Sequence, residues 1–202
     1  MEPFNTITSL VTPLDRANVD TDQIVPKQFL KLVQRTGFGK YLFYDWRFDE
    51  AGMPKLNFVL NNQKYMGAQI LLTRSNFGSG SSREHAVWAL MDFGFRVVIS
   101  PSFADIFYSN CFKNGFLAIT LSEHEVDKLF KRVYDEEGYM LTIDLSSQII
   151  RTSTREIIPF SIDPHRKKTL LEGLDDIDMA LQLQERIRDY EKGMDPEMVP
   201  RA

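Results

Sequence analysis

Short apolar runs and segments of helical periodicity alternate through the middle of the chain. Three apolar runs of strand length are bounded by turn residues, at 68–72, 96–100 and 116–120. Between the first two, residues 81–93 are compatible with a helix that ends at Gly94. A second helix is predicted to begin at Ser102 and Asp105, which have capping-box spacing, and to stop at Asn114. This order predicts parallel strands joined by right-handed crossovers.

Further elements are predicted on both sides of this core. An apolar run at 7–11 precedes it, and Ser122 with Glu125 forms a capping box before another helical pattern. The segment 175–190 has the spacing of a closing amphipathic helix. Three short runs separated by turn residues predict an antiparallel set of strands, at 141–145, 148–152 and 156–162.

The segment from about residue 31 to residue 64 has no clear periodicity. Six aromatic residues nevertheless crowd into eleven of its positions, namely Phe38, Tyr41, Phe43, Tyr44, Trp46 and Phe48. A long connection without periodicity is usually functional or disordered. Its aromatic residues can belong to the core, to a surface that faces a partner, or to the lining of a pocket lid.

Composition and charge exclude several classes of protein. The chain has 202 residues, 43% hydrophobic and 26% charged, which is typical of one soluble domain over 1–202. No apolar run is long enough to span a membrane, and the start does not have the pattern of a signal peptide. A net charge of -4 with no long run of like charges argues against nucleic-acid binding. The short basic stretch 166–168 is expected to be a solvated turn.

The single cysteine limits both redox chemistry and metal binding. Cys111 cannot form an intrachain disulfide, and one thiol cannot hold a zinc ion or an iron–sulfur cluster without other protein ligands. It falls inside the second predicted helix among phenylalanines, so a buried and unreactive thiol is expected. A reducing, cytoplasmic location is therefore favoured.

The most informative stretch is the glycine-rich and serine-rich segment 76–86, between a buried strand and a helix. Gly78 and Gly80 allow a tight turn, and Arg83 adds a planar fork that suits a carboxylate or phosphate. Ligands of open α/β sheets bind at this kind of position. The segment predicts an anion site, with plain helix capping by Ser81 as the alternative. It lacks the third glycine and the lysine of nucleotide-binding loops.

Three other polar residues have competing interpretations. His85 follows Ser81 by four positions, which would suit a nucleophile and its base, but no nucleophile-elbow motif is present and a structural role is favoured. Asp20 and Asp22 could be a metal pair or two catalytic carboxylates. An Asx-type turn that bonds its own backbone is the favoured interpretation.

These segments together resemble one known family. The sequence GSGSSREHA at 78–86 is similar to the signature of the aconitase-type swivel domain. The segments 20–30, 35–39, 45–48 and 100–107 resemble the bacterial small subunits of 3-isopropylmalate dehydratase, and the match covers essentially the whole chain. The resemblance implies an α/β fold, a three-layer β/β/α swivelling domain with a parallel β-α-β-α-β core and additional antiparallel strands.

The resemblance also implies an activity and a partner. Members of the family belong to a lyase that interconverts 2-isopropylmalate and 3-isopropylmalate through 2-isopropylmaleate in leucine biosynthesis. A separate large subunit carries a [4Fe–4S] cluster, and none is expected in this chain. Ser81 would be the catalytic base, Ser82 a hydrogen-bond donor to the dicarboxylate substrate, and Arg83 and Lys27 its carboxylate ligands.

Supporting roles follow for Asp20, Asp22 and His85, and for Tyr41 and Trp46 in the segment 31–64. That segment corresponds to a mobile loop that selects the substrate, and it is expected to be poorly ordered without the large subunit. Two alternatives stay open. One is a related small subunit acting on citraconate and methylmalate or on homoaconitate, and the other is a non-catalytic anion-binding module. The isolated chain could also form a homo-oligomer.

Overall fold

A seven-stranded mixed sheet forms the centre of the molecule. This computed structural model describes residues 1–30, 36–80, 83–174, 178, 181 and 188. The strands are β1 (Ile7–Leu14), β2 (Ile70–Thr73), β3 (Val97–Ser100), β4 (Leu117–Thr120), β5 (Met140–Asp144), β6 (Ile149–Thr152) and β7 (Ile157–Pro159). They lie in the order β4-β3-β2-β1-β5-β6-β7.

In the continuously described part of the chain, six α-helices and several single turns of 3-10 helix surround the sheet. The helices are α1 (Thr21–Ile24), α2 (Tyr44–Arg47), α3 (His85–Phe93), α4 (Asp105–Lys113), α5 (Glu123–Asp135) and α6 (Pro164–Glu172). The 3-10 turns are Lys27–Phe29, Gly39–Tyr41, Val59–Asn61 and Gln63–Tyr65. Among the helices described, none has the length and hydropathy of a membrane span.

Strand β1 joins two halves of the sheet that run in different ways. Its second half pairs in parallel with β2, with Val11 opposite Ile70, and β3 and β4 continue the parallel half. Its first half pairs antiparallel with β5, with Ile7 opposite Ile143, and β6 and β7 follow. The predicted parallel core and the predicted antiparallel set are both confirmed. The apolar run predicted at 7–11 proves to be the longest strand and the centre of the sheet.

Burial explains why these residues form strands and helices. All four residues of β2 and of β3 are buried, as expected for parallel strands covered on both faces. Helix α5 packs against β1, β2 and β3 through buried residues at helical spacing, Val126, Leu129, Phe130 and Val133. The Ser122 hydroxyl accepts the N–H of Glu125 at 3.2 Å, which confirms the predicted cap.

Three predictions about local structure are wrong. Helix α3 begins at His85, four residues later than predicted. Helix α4 begins at Asp105 without a side-chain cap, because the Ser102 hydroxyl accepts the N–H of Asn76 at 2.8 Å instead. The basic stretch 166–168 lies in helix α6 rather than in a turn, and Arg166 covers the rings of two aromatic residues of α4.

The described part of the aromatic segment is packed against the rest of the fold. Phe38 and Phe43 are fully buried, so the expectation that the aromatic surface of this segment lacks a partner is wrong for them. The N–H of Phe43 donates to the carbonyl of Ile24 at 2.8 Å, and the N–H of Phe38 donates to the Asp92 carboxylate at 2.8 Å. Residues 31–35 lie outside the described residues, as does most of the helix predicted at 175–190.

Candidate functional site

Three loops meet at the carboxyl ends of the parallel strands β1, β2 and β3. The N–H of Gly78 donates to the carbonyl of Val19 at 2.7 Å, which fastens the loop after β2 to the loop after β1. On its other side, the N–H of Phe77 donates to the carbonyl of Ser102 at 3.1 Å, in the loop after β3. The glycine-rich loop therefore lies at the sheet edge where open α/β proteins bind ligands, as predicted.

The conformation of this loop depends on glycine at two positions. Gly78 and Gly80 have φ angles of 78° and 88°, in the left-handed region. A Cβ atom on Gly78 would also overlap the ring of Phe107. The backbone of residues 76–80 is thus held close to α4, and the chain leaves it toward Arg83.

Asp20 has a structural role. Its Oδ1 atom accepts the N–H groups of Asp22 at 2.7 Å and Gln23 at 2.9 Å, and the Gln23 side chain accepts the N–H of Asp20 at 3.0 Å. This is a capping box at the start of α1. The predicted Asx-type turn is therefore confirmed for Asp20. Among the described residues, no group of three potential ligands could hold a metal ion.

The carboxylate of Asp22 forms ion pairs with two basic side chains. Its Oδ2 atom lies 3.1 Å from Nζ of Lys27, and its Oδ1 atom accepts a hydrogen bond from Nη1 of Arg83. The Lys27 side chain is 71% exposed, whereas the Arg83 and Asp22 side chains are 24% and 34% exposed. The structure thus brings together three of the predicted residues, and this trio carries a net charge of about +1 at neutral pH. Ser81 and Ser82 lie outside the described residues.

His85 lies between two aromatic side chains at the start of α3. Its ring centroid is 5.1 Å from that of Phe38 and 4.8 Å from that of Trp88. Burial lowers the pKa of His85 from its ordinary value, and the nearby charge of Arg83 lowers it further, against a smaller opposing effect of Glu84. His85 is therefore a predominantly neutral, packed side chain at neutral pH.

Tyr41 and Trp46 are both stacked on other aromatic rings. Tyr41 lies over Phe29 with a centroid separation of 4.0 Å, directly beside the 3-10 turn that carries Lys27. Trp46 stacks on Phe43 at 5.4 Å, lies 6.0 Å from the ring of Phe58, and has the Arg16 guanidinium 4.3 Å from its indole ring. Tyr41 thus packs on the 3-10 turn that carries Lys27, while Trp46 belongs to the packing of α2.

Sequence reasoning missed a network that fixes the start of α3. The amide nitrogen of Asn114 donates to the Glu84 carboxylate at 2.8 Å, and its amide oxygen accepts from Nε1 of Trp88 at 2.9 Å. Asn114 was singled out only as a helix stop. The spacing of four residues between Glu84 and Trp88 places both on one helical face, but the sequence does not show that α4 supplies their partner.

The thiol of Cys111 is remote from this chemistry. It is fully buried, and desolvation raises its pKa well above the usual value. A thiol with a raised pKa forms little thiolate at neutral pH and is a weak nucleophile. The predicted burial of the cysteine is confirmed, and the raised pKa agrees with the low reactivity expected of it.

Comparison with known proteins identifies related sequences over nearly the whole chain. The family model of the aconitase C-terminal domain matches residues 1–124, and a LeuD_N model matches residues 127–164. The chain is 56% identical over 191 residues to a 3-isopropylmalate dehydratase small subunit from Brevibacillus brevis, covering 95% of this chain and 98% of that protein. Proteins of the same name from Magnetococcus marinus and Neisseria meningitidis are 55% and 54% identical, covering 97% and 95% of this chain and 98% and 94% of theirs.

A solved structure has the same fold. The crystal structure of 3-isopropylmalate dehydratase from Methanocaldococcus jannaschii superposes with a TM-score of 0.64, over 92% of this chain and 99% of that one. The two sequences are 24% identical, so this likeness concerns the fold alone. With the match to the aconitase C-terminal domain, it confirms the predicted α/β swivelling-domain class.

Proposed function

The chain belongs to the family of 3-isopropylmalate dehydratase small subunits, and from this premise we propose how its candidate site takes part in the reaction. It is one subunit of a hydro-lyase of leucine biosynthesis, which isomerises 2-isopropylmalate and 3-isopropylmalate through 2-isopropylmaleate. The name small subunit implies a large subunit as partner. The proposal concerns which residues of this chain bind the substrate and move its proton.

The observation that carries the proposal is that Lys27 and Arg83 hold one carboxylate, that of Asp22, between them. A substrate carboxylate has the same charge and the same oxygen geometry, so it can bind to the same cations. Arg83 offers a planar fork that can donate two parallel hydrogen bonds, and Lys27 offers a point charge. The net positive charge of the trio favours a dianionic substrate.

We assign the proton transfer to Ser81 and a hydrogen bond to the substrate to Ser82. A serine hydroxyl is a very weak base, so its alkoxide must be stabilised by positive charge and by aligned N–H donors. Three residues separate Ser81 from the first residue of α3, and the effect of a helix dipole falls off within one turn. We assign the larger contribution to the guanidinium of Arg83, two positions after Ser81 in the sequence. We assign positioning roles to His85, whose ring packs at the start of α3, and to Asp20, whose carboxylate caps α1.

We propose that the segment 31–64 selects the substituent of the substrate. The stacked rings of Phe29 and Tyr41 place an apolar surface beside the turn that carries Lys27. An apolar wall suits an isopropyl group, whereas a carboxymethyl substituent would require another cation. We propose movement of this segment around the anchors that Phe38 and Phe43 provide, with Trp46 as part of its packing.

The residues of this chain do not fit a [4Fe–4S] cluster. Such a cluster takes several cysteine thiolates, and the sequence has one cysteine, which is fully buried. We therefore assign the cluster to the large subunit. A related hydratase and a simple anion-binding module are less favoured, because the similar proteins reported above are all named for isopropylmalate.

The test is an absorbance assay for 2-isopropylmaleate formed from 3-isopropylmalate. The purified chain is assayed alone, and then after anaerobic mixing with the reconstituted large subunit from the same organism. Activity in the mixture alone supports the proposal. Citraconate hydration by a mixture that is silent with isopropylmalate would contradict the substrate assignment, and ligand binding without any turnover in the loaded mixture would contradict the enzymatic role.

A further inference from the structure

A groove lies between helix α5 and the antiparallel strands, away from the candidate active site. It encloses about 430 Å³ and continues into a neighbouring hollow of about 600 Å³ that shares Glu125, Glu156 and Ile158. None of its lining residues belongs to the glycine-rich loop, to α1 or to the aromatic segment. Its wall consists of Glu125, Lys128, Leu129, Lys131, Arg132, Asp135, Tyr139, Thr152, Glu156 and Ile158.

The Tyr139 hydroxyl, in the wall of this groove, has no hydrogen-bond partner. Tyr139 is 2% exposed, and its hydroxyl is the one buried side-chain polar atom among the described residues that is left unsatisfied. Buried tyrosine hydroxyls are usually hydrogen-bonded, because an unmade bond costs free energy. Such an atom requires an explanation, and a molecule bound in this groove would supply the missing partner. The volume of the groove is far larger than one water molecule requires.

The charges around the hydroxyl are of both signs. Arg132 and Lys131 contribute positive charges to the wall of the groove, and Asp135 and Glu156 contribute negative charges. Within the described part of the groove wall, the one ion pair joins Nζ of Lys128 to Oε1 of Glu125 at 3.2 Å. Arg132 and Glu156 are exposed, so both can turn toward a bound molecule.

The hydroxyl is a donor rather than an anion at neutral pH. Burial raises the pKa of Tyr139 to about 12, and Glu136 and Glu156 add to the rise while Arg132 opposes it. A protonated hydroxyl needs an acceptor, such as a carboxylate oxygen. Leu129 and Ile158, which are 1% and 6% exposed, contribute apolar atoms to the wall of the same groove.

We propose that this groove binds a small zwitterion with an aliphatic group, the chemistry of an aliphatic α-amino acid. Its carboxylate accepts the hydrogen bond of the Tyr139 hydroxyl and faces Arg132. Its ammonium group faces Glu156, and its aliphatic group covers Leu129 and Ile158. This site is separate from the catalytic residues, and it does not depend on the function proposed above.

The test uses the full chain and three probes in isothermal titration. L-Leucine carries all three features, isocaproate lacks the ammonium group, and isoamylamine lacks the carboxylate. We expect saturable binding of L-leucine and at least about tenfold weaker binding of each of the other two, since each lacks one charge-assisted contact. No saturable binding of L-leucine would overturn the proposal, as would binding of isocaproate with equal affinity.

Two variants and a control assign the binding to this groove. Tyr139→Phe should weaken L-leucine binding about tenfold or more without lowering the Tm, since it removes a hydroxyl that is unsatisfied in the unliganded chain. Arg132→Gln should weaken L-leucine and isocaproate while leaving isoamylamine unchanged. Tyr134→Phe is the control, because Tyr134 lies on helix α5 with Arg132 but outside the groove, and it should not alter binding. Unchanged affinity in Tyr139→Phe, or a clear loss of Tm, would show a structural hydroxyl and overturn the site.

Discussion

The carboxylate of Asp22 accepts a hydrogen bond from the guanidinium of Arg83, although the two residues are sixty-one positions apart in the chain. Asp22 lies in the first turn of α1, which follows β1, and Arg83 lies in the loop that follows β2. Because β1 and β2 are parallel neighbours, the segments after them leave the sheet at the same edge. The pair therefore marks the point where two loops meet at the proposed anion site.

The fork of Arg83 should matter more than its charge. Arg83→Lys keeps the charge but loses the second parallel hydrogen bond to a substrate carboxylate. We expect kcat/KM for 3-isopropylmalate to fall about 10-fold to 100-fold in the reconstituted complex. Arg151→Lys, on the remote strand β6, is the matched control and should leave kcat/KM unchanged. Equal values for the two variants would contradict a substrate contact by Arg83.

The hydroxyl of Ser81 should be needed for turnover but not for association with the large subunit. Ser81→Ala removes the proposed base, so turnover in the reconstituted complex should be lost while the two subunits still associate. Size-exclusion chromatography measures association, and the absorbance assay measures turnover. Ser79→Ala is the matched control, because Ser79 pairs with Asp20 through its backbone and its hydroxyl has no proposed role. A Ser81→Ala chain that no longer binds the large subunit would contradict the assignment as a base.

Periodicity and turn residues were enough to predict the parallel core and its carboxyl edge. An apolar run such as Ile70–Thr73 can be buried on both faces only where other elements cover both faces of the sheet. Its place as an interior parallel strand therefore follows from its composition. The Asx-type turn at Asp20 is also local, since its donors are two and three residues away. The resemblance then named residues that the fold places together, Lys27 and Arg83 on either side of Asp22.

Partners from distant segments could not be predicted from spacing. Ser102 and Asp105 have the spacing of a capping box, yet the Ser102 hydroxyl bonds Asn76 of the glycine-rich loop, because that loop lies beside it in the sheet edge. Asn114 bonds Glu84 for the same kind of reason. In both cases the tertiary neighbour satisfies a polar group that the local pattern would have assigned to its own helix.

His85 should make stability fall on mild acidification. Burial, with the charge of Arg83, lowers its pKa from the ordinary value of 6.5, so near that pH the folded chain binds fewer protons than the unfolded chain. The free energy of unfolding should therefore decrease as the pH falls from about 6.5 toward the folded-state pKa of His85. Urea unfolding at a series of pH values between about 5 and 8 measures this free energy.

His85→Gln should flatten this part of the pH dependence. His124→Gln is the control, since His124 is exposed on α5 and should leave the slope as in the parent chain. If His85→Gln keeps the parent slope below about pH 6.5, the neutral packed imidazole is not the source.

Alanine substitutions at Gly78 and Gly52 distinguish the cost of backbone strain from the cost of steric overlap by the added Cβ atom. Both have φ angles near 77° to 78°, so alanine at either position should cost about 1–2 kcal/mol of backbone strain. A Cβ atom on Gly52 meets nothing within 4 Å, whereas on Gly78 it overlaps Phe107. Phe107 is buried against Phe77, with ring centroids 5.3 Å apart, so its ring cannot move aside at little cost. We expect Gly78→Ala to lose about 1–3 kcal/mol more than Gly52→Ala in urea unfolding.

The same pair of variants tests whether the glycine-rich loop positions the site. Gly78→Ala must shift the backbone that leads to Arg83, so kcat/KM in the reconstituted complex should fall even under conditions where the chain remains folded. Gly52 lies in the segment 31–64, but a Cβ atom there meets nothing and Gly52 has no proposed contact with the substrate, so Gly52→Ala should keep its activity. Equal losses of stability in the two variants would show that Phe107 yields to the added methyl group. Full activity in a folded Gly78→Ala chain would show that the close packing of this loop on α4 does not determine the geometry of the site.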